Sequence, residues 1–171
     1  MTVEDSPEHE VAWAAVSGPL RLENVLFQAK KSGRLAPLQI VNANLVVGTR
    51  HITEAARMCN RARAEGRGQA DRTEIDFLRY LAGEPQIQKA IEKMGILDEC
   101  DAAVVIALGP RRMDALRHFV EALGCKEDDT LLEADETTLA AFGITETQIQ
   151  AATTGRAMDL IVEAVARVDL G

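Results

Sequence analysis

Residues Asp71 to Gly95 read DRTEIDFLRYLAGEPQIQKAIEKMG. Asp71 with Glu74 three positions on is a carboxylate version of the capping box, and Ile75, Leu78 and Leu81 or Ala82 follow at helical spacing up to Gly83. This predicts one helix with a start and a stop. After Gly83-Glu84-Pro85, residues Ile87, Ala90, Ile91 and Met94 fall at i, i+3, i+4 and i+7. Pro85 suits a first helical position and Gly95 a C-terminal cap, so a second helix is predicted beyond a tight corner. Gln86, Lys89 and Lys93 fall on the opposite side of that helix, which leaves a polar face and the N-terminal amides to meet a partner.

The segments around this pair alternate strand and helix signals. Ala102 to Leu108, AAVVIAL, suits a central strand covered on both faces, and Gly109-Pro110 ends it. Val11 to Val16 reads as a buried strand closed by Ser-Gly-Pro, and Gln39 to Val47 as a strand running into a loop. Leu20 to Lys31, Met113 to Leu123 and Ala157 to Val168 carry apolar residues at helical spacing; Leu139 to Phe142 and Thr145 to Ala152 suggest shorter helices parted by Gly143. Glu127 to Glu136 is an acidic surface segment with room for a short strand, and residues 1 to 9 are polar and expected to fray. The pattern predicts an α/β (α+β) domain over residues 1–171, with a small mixed sheet of three or four strands ringed by helices.

Composition bounds the function. At 171 residues, with 47% hydrophobic and 27% charged side chains, the chain can bury a core without disulfides or metal. No apolar run approaches the roughly 20 residues that span a bilayer, and the acidic start MTVEDSPEHE lacks the basic region of a signal peptide, so a cytoplasmic protein without a membrane partner is expected. Cys59, Cys100 and Cys125 are odd in number and widely spaced, as expected of reduced, mostly buried thiols. His9, His51 and His118 have no partner at metal-ligand spacing, and no phosphate-loop, dinucleotide or nucleophile-elbow motif occurs, so neither an active site nor a cofactor is expected.

The net charge of −8 speaks against a nucleic-acid partner, and no DNA partner is expected, but the charge is unevenly spread. From Arg50 to Arg72 six arginines face three carboxylates, a local +3 that leaves −11 on the remainder. Thr49 can cap a helix to about Ala64 in which Ile52, Ala55, Ala56, Cys59 and Ala62 form one stripe, while Arg50, Glu54, Arg57 and Arg61 gather opposite. His51 sits beside this ridge, off the apolar stripe. Such charges commonly do no more than solvate an exposed face.

The segment TEIDFLRYLAGEPQIQKAIEKMGI resembles the signature of the small non-catalytic KEOPS subunit related to the PRPK-binding protein: Gln86, Ile87, Ala90, Ile91, Lys93 and Gly95 match it. Gln39-Ile40, Asn42-Ala43, Val46 and His51 are similar to the archaeal form, and Gly155 to Leu170 to the family's last helix, so the likeness covers most of Gln39 to Gly171. Glu84-Pro85 departs from the basic or amide residues that archaeal members often carry there. The resemblance implies an adaptor in the complex that installs threonylcarbamoyl on the adenosine beside the anticodon. Catalysis there belongs to a separate ATPase-like subunit. The adaptor binds the kinase-like ATPase and grips the single-stranded 3′ CCA end of tRNA.

On that reading Arg50, Arg57 and Arg61 would supply charge with His51 beside them, Tyr80 or a guanidinium a stacking surface, and Gln86 and Lys89 polar contacts. Ile87 reads either as core or as a base contact. Leu160, Ala164 and Val168 of the last helix are the candidates to face the kinase-like partner, although the whole stripe could equally be core. The alternatives are an adaptor that binds and regulates the kinase without touching RNA, and a small-molecule α/β enzyme with a deep polar-lined pocket.

Overall fold

Five antiparallel strands divide the helices into two layers in the computed structural model, which describes residues 4–96, 98–133, 135–151 and 156–170. The strands are β1 (Glu4–Ser6), β2 (Val11–Arg21), β3 (Leu38–Asn42), β4 (Glu99–Leu108) and β5 (Lys126–Glu127). Along the sheet they run β1-β2-β4-β3. Because β4 takes one edge of β2 from Val11 to Ser17, β1 and β5 share the other edge, at Val11–Trp13 and Val16–Ser17.

The apolar run of β4 explains its central place. Val104, Ile106 and Leu108 belong to one hydrophobic cluster and Ala103, Val105 and Ala107 to the other, so both faces are covered. β2 alternates likewise: Val11, Trp13 and Ala15 face the first cluster, and Ala12, Ala14 and Val16 the second. On the second face lie α1 (Leu22–Ser32) and α5 (Arg112–Leu123), which pack on each other. The first face carries α2 (Gly48–Ala64), α3 (Thr73–Ala82), α4 (Ile87–Met94) and α8 (Ala157–Arg167), with the short α6 (Glu136–Phe142) and α7 (Glu146–Ala151) beside them.

The predicted α/β class, with helices around a small sheet, holds. The sheet itself has five strands, and every pairing is antiparallel rather than mixed. Residues 4–9, expected to fray, form β1 and a single 3-10 turn, since an edge strand needs only backbone pairing with β2 and no apolar side chains. β2 does not stop at Ser17-Gly18-Pro19: the register shifts between Ser17 and Leu20, and the strand continues to Arg21. Gly18 sits at φ +132°, a conformation open to glycine, so the three residues form an irregularity within the strand.

Two expected caps are absent. α3 starts after Arg72, not Asp71, and α2 after Val47 rather than Thr49, in neither case with a side-chain cap hydrogen bond. Pro85 lies before the first turn of α4, whose N-cap is Gln86. The helix predicted over 145–152 runs Glu146–Ala151; Ala152 and Gly155 lie outside the described residues.

Candidate functional site

α2 is built as expected, with one apolar and one charged face. Ile52, Ala55, Ala56, Cys59 and Ala62 are at most 1% exposed, while the Arg50, Arg57 and Arg61 side chains are 53%, 44% and 63% exposed. The ridge is not bare. Glu54 Oε2 accepts from Nε and Nη2 of Arg57 at 3.0 and 2.8 Å, Glu65 accepts from Arg61 at 3.0 Å, and Asp159 reaches over from α8 to Arg50 at 3.2 Å. Exposed pairs of this kind are worth at most about 1 kcal/mol each, so a phosphate could compete for the guanidiniums. Each carboxylate nevertheless subtracts from the potential that a polyanion would feel.

His51 is not a surface residue beside the ridge. It is wholly buried, with Val47 N–H donating to Nδ1 at 3.0 Å and Nε2 lying 2.7 Å from the Leu81 carbonyl oxygen. The Phe142 ring meets it edge-on at 5.0 Å. Because Nδ1 accepts, the proton resides on Nε2 and the ring is neutral. Burial, with Lys93 nearby, lowers its pKa to about 4. His51 therefore locks α2 to α3 and cannot meet a partner.

Tyr80 is likewise no stacking platform. It is 1% exposed, and its hydroxyl donates to Asp169 at 2.5 Å. Asp169 also pairs with Arg67 at 2.7 Å, so the last turn of the chain is tied to the loop after α2. Burial, followed by the hydrogen bond to Asp169, raises the Tyr80 pKa.

On α4 and its N-cap the exposed polar residues are Gln86, Gln88, Lys89 and Glu92. Ile87 is half-buried, and Ile91, expected inside, is 41% exposed; Ala90 and Met94 alone are fully covered. Lys93, expected on the polar face, turns inward instead. Its Nζ donates to the Ala82 carbonyl at 2.9 Å and lies 4.1 Å from the Phe142 ring centre, with burial lowering its pKa. α3 packs against both α2 and α4, and so stands between the ridge and these amides.

Of the candidates at the end of the chain, Val168, which caps α8, is 1% exposed and belongs to the core with Ile161 and Val165. Leu160 and Ala164 are half-buried; they line a recess of about 220 Å³ that also takes in Lys93, Phe142 and Gln148. Ala164 comes close to the corner: a Cβ built on Gly83, at φ +65°, would stand 3.3 Å from the Ala164 Cβ.

A polar network at the α2–α3 junction is absent from the reading of the sequence above. Asp76, wholly buried, accepts from the Gln69 and Ala70 amides at 3.0 and 3.1 Å, from Arg63 at 2.5 Å and from Arg79 at 3.2 Å. Arg79, 1% exposed, also donates Nε–H to the Pro85 carbonyl at 2.8 Å. One carboxylate thus organises the loop after α2, and one guanidinium the corner before α4. The clue was the i, i+3 spacing of Asp76 and Arg79 in a helix whose other residues are mostly apolar.

Among the described residues no cluster of His, Cys, Asp and Glu could hold a metal, and no helix is long and apolar enough to cross a membrane. The three thiols are free; Cys59 is buried and pushed up to about 12 by that burial and by Asp76.

The prominent polar groups thus either brace helix junctions or lie along exposed helix faces of a single α/β domain. The chain belongs to a family described as kinase binding protein CGI-121, whose sequence model matches residues 22–169. None of the curated proteins matches it.

Proposed function

We propose that this chain is a non-catalytic, cytoplasmic adaptor of the KEOPS tRNA-modification complex, of the archaeal form of that subunit. It binds the kinase-like ATPase and recruits tRNA by the single-stranded 3′ CCA end, for threonylcarbamoylation of the adenosine next to the anticodon. The observation that carries the adaptor role is the match of a kinase-binding family over 22–169. The RNA contact then falls to Arg50, Arg57 and Arg61 of α2, with Gln86, Ile87 and Lys89 of α4 as the second contact. Exposed ion pairs exchange readily for phosphate, and one exposed isoleucine edge beside an amide suits a splayed base. Leu160 and Ala164 remain the kinase-facing candidates on α8, with Val168 now in the core.

A second reading, a kinase-binding regulator that never touches RNA, is favoured by the carboxylate partner found on each of Arg50, Arg57 and Arg61. Gel shifts with intact tRNA and with tRNA trimmed of its 3′ end separate the two. The adaptor-and-clamp reading expects a shift that the trimmed tRNA loses; binding of neither leaves the regulator, and equal binding of both overturns the 3′-end contact and the RNA-free regulator alike. Pull-down of the kinase-like ATPase tests the part common to both.

A further inference from the structure

On the opposite face of the sheet, α1 carries an exposed surface that neither the kinase nor the RNA reading uses. Val25 and Ser32 are its fully buried residues, whereas Leu26 and Phe27 are 60% and 57% exposed. Most exposed apolar residues on a folded chain stand singly; two large ones side by side at the middle of a helix are unusual.

The charges around them have an internal order. Glu23, Leu26, Phe27 and Lys30 lie at i, i+3, i+4 and i+7 and share one outward strip. Acidic groups outnumber basic ones at the start of the helix, where Glu23, Asp98 and Glu99 with the single Arg21 line an open groove of about 740 Å³. Basic groups gather at its end: Lys30, Lys31 and, just beyond, Arg34. Neither Glu23 nor Lys30 has an ion-pair partner among the described residues, in contrast to the arginines of α2.

We propose that this strip is a homodimer interface, its occupant α1 of a second copy of the chain running antiparallel. The strip is self-complementary about a point midway between Leu26 and Phe27. A two-fold axis there sets Glu23 of each copy against Lys30 of the other, because the two are equally far from the centre. The same operation puts Leu26 and Phe27 of both copies together at the axis, and brings the acidic groove of one onto Lys31 and Arg34 of the other. A partner of unrelated sequence would need a matching charge order, whereas a second copy has it by symmetry. Only one three-turn helix contributes, so the interface lies at the small end of specific contacts and the dimer is weak, with a Kd of about 10 to 100 µM.

Sedimentation equilibrium of the full chain over a wide concentration range tests this. The wild type is expected to pass from monomer to dimer, and Phe27→Glu to raise Kd at least tenfold with an unchanged circular dichroism spectrum. Glu23→Lys and Lys30→Glu should each weaken the dimer, and the two together should restore it, since the swapped charges again face each other across the axis. A chain monomeric at every concentration overturns the proposal. So does a dimer that survives Phe27→Glu, or a double variant no tighter than the singles. Loss of kinase binding in Phe27→Glu without any dimer in the wild type would assign the strip to the kinase.

Discussion

The Nε2 atom of His51, in the first turn of α2, lies 2.7 Å from the carbonyl oxygen of Leu81 near the end of α3. The other ring nitrogen accepts from Val47 N–H, so protonation would place two N–H groups head to head inside the core. The folded-state pKa is accordingly about 4 against an ordinary value of 6.5. The unfolded chain thus binds the proton that the folded chain refuses, and the stability that neutral His51 secures is complete above pH 6.5 and lost as pH falls towards 4. Urea unfolding at about pH 7 and pH 4.5 should show a loss of about 2 kcal/mol from this group. His51→Gln should lose that part of the slope; an unaltered slope would mean that another group governs acid stability.

Asp76 is the second brace. Removing it strands Arg79, 1% exposed, with no counter-charge, and frees the two loop amides at Gln69 and Ala70. Breaking a buried pair from one side costs about 3 to 5 kcal/mol, because the remaining charge stays desolvated. Asp76→Ala should lower the unfolding free energy measured in urea by that amount, and amide exchange should rise first in residues 65–72. A change below about 1 kcal/mol would show that Arg79 escapes to solvent.

How far the sequence reaches depends on what kind of contact decides each position. The stripe of α2, the two-faced run of β4 and the spacing of α5 and α8 were legible because water exclusion acts on side chains at fixed periods. β1 was not, as Glu4-Asp5-Ser6 is held by backbone pairing alone. His51, Tyr80 and Lys93 were misplaced for one shared reason. His51 and Tyr80 are buried and Lys93 half-buried, each against a polar atom far along the chain or on the backbone: the Leu81 carbonyl, the Asp169 carboxylate and the Ala82 carbonyl. Such partners leave no periodic trace. The arginine ridge was legible as an exposed face, but Asp159, which pairs with Arg50, comes from a helix more than a hundred residues away.

For the kinase contact, the two remaining candidates on α8 differ from Val168 in a measurable way. Leu160→Glu places a carboxylate at a half-buried position lining the recess, and should weaken pull-down of the kinase-like ATPase while the thermal midpoint falls only slightly. Val168→Glu buries that carboxylate in the core and should unfold the chain, by well over about 2 kcal/mol. If Leu160→Glu binds the kinase normally, α8 does not form the docking surface.

The ridge admits a test that moves affinity in both directions. Arg57→Glu with Arg61→Glu reverses two exposed charges and should weaken tRNA binding, with the slope of log affinity against log salt reduced by about 1 per lost phosphate contact. Glu54→Gln with Glu65→Gln removes the carboxylates that Arg57 and Arg61 now hold, at little cost to folding because both pairs are exposed. If phosphate and carboxylate compete for the same guanidiniums, this second variant should bind tRNA more tightly than the wild type and with a steeper salt dependence. Were the arginines mere solvation of a helix face, both variants would match the wild type. Tighter binding after loss of the two glutamates is therefore the sharper outcome, since damage to the fold could mimic a loss of affinity but not a gain.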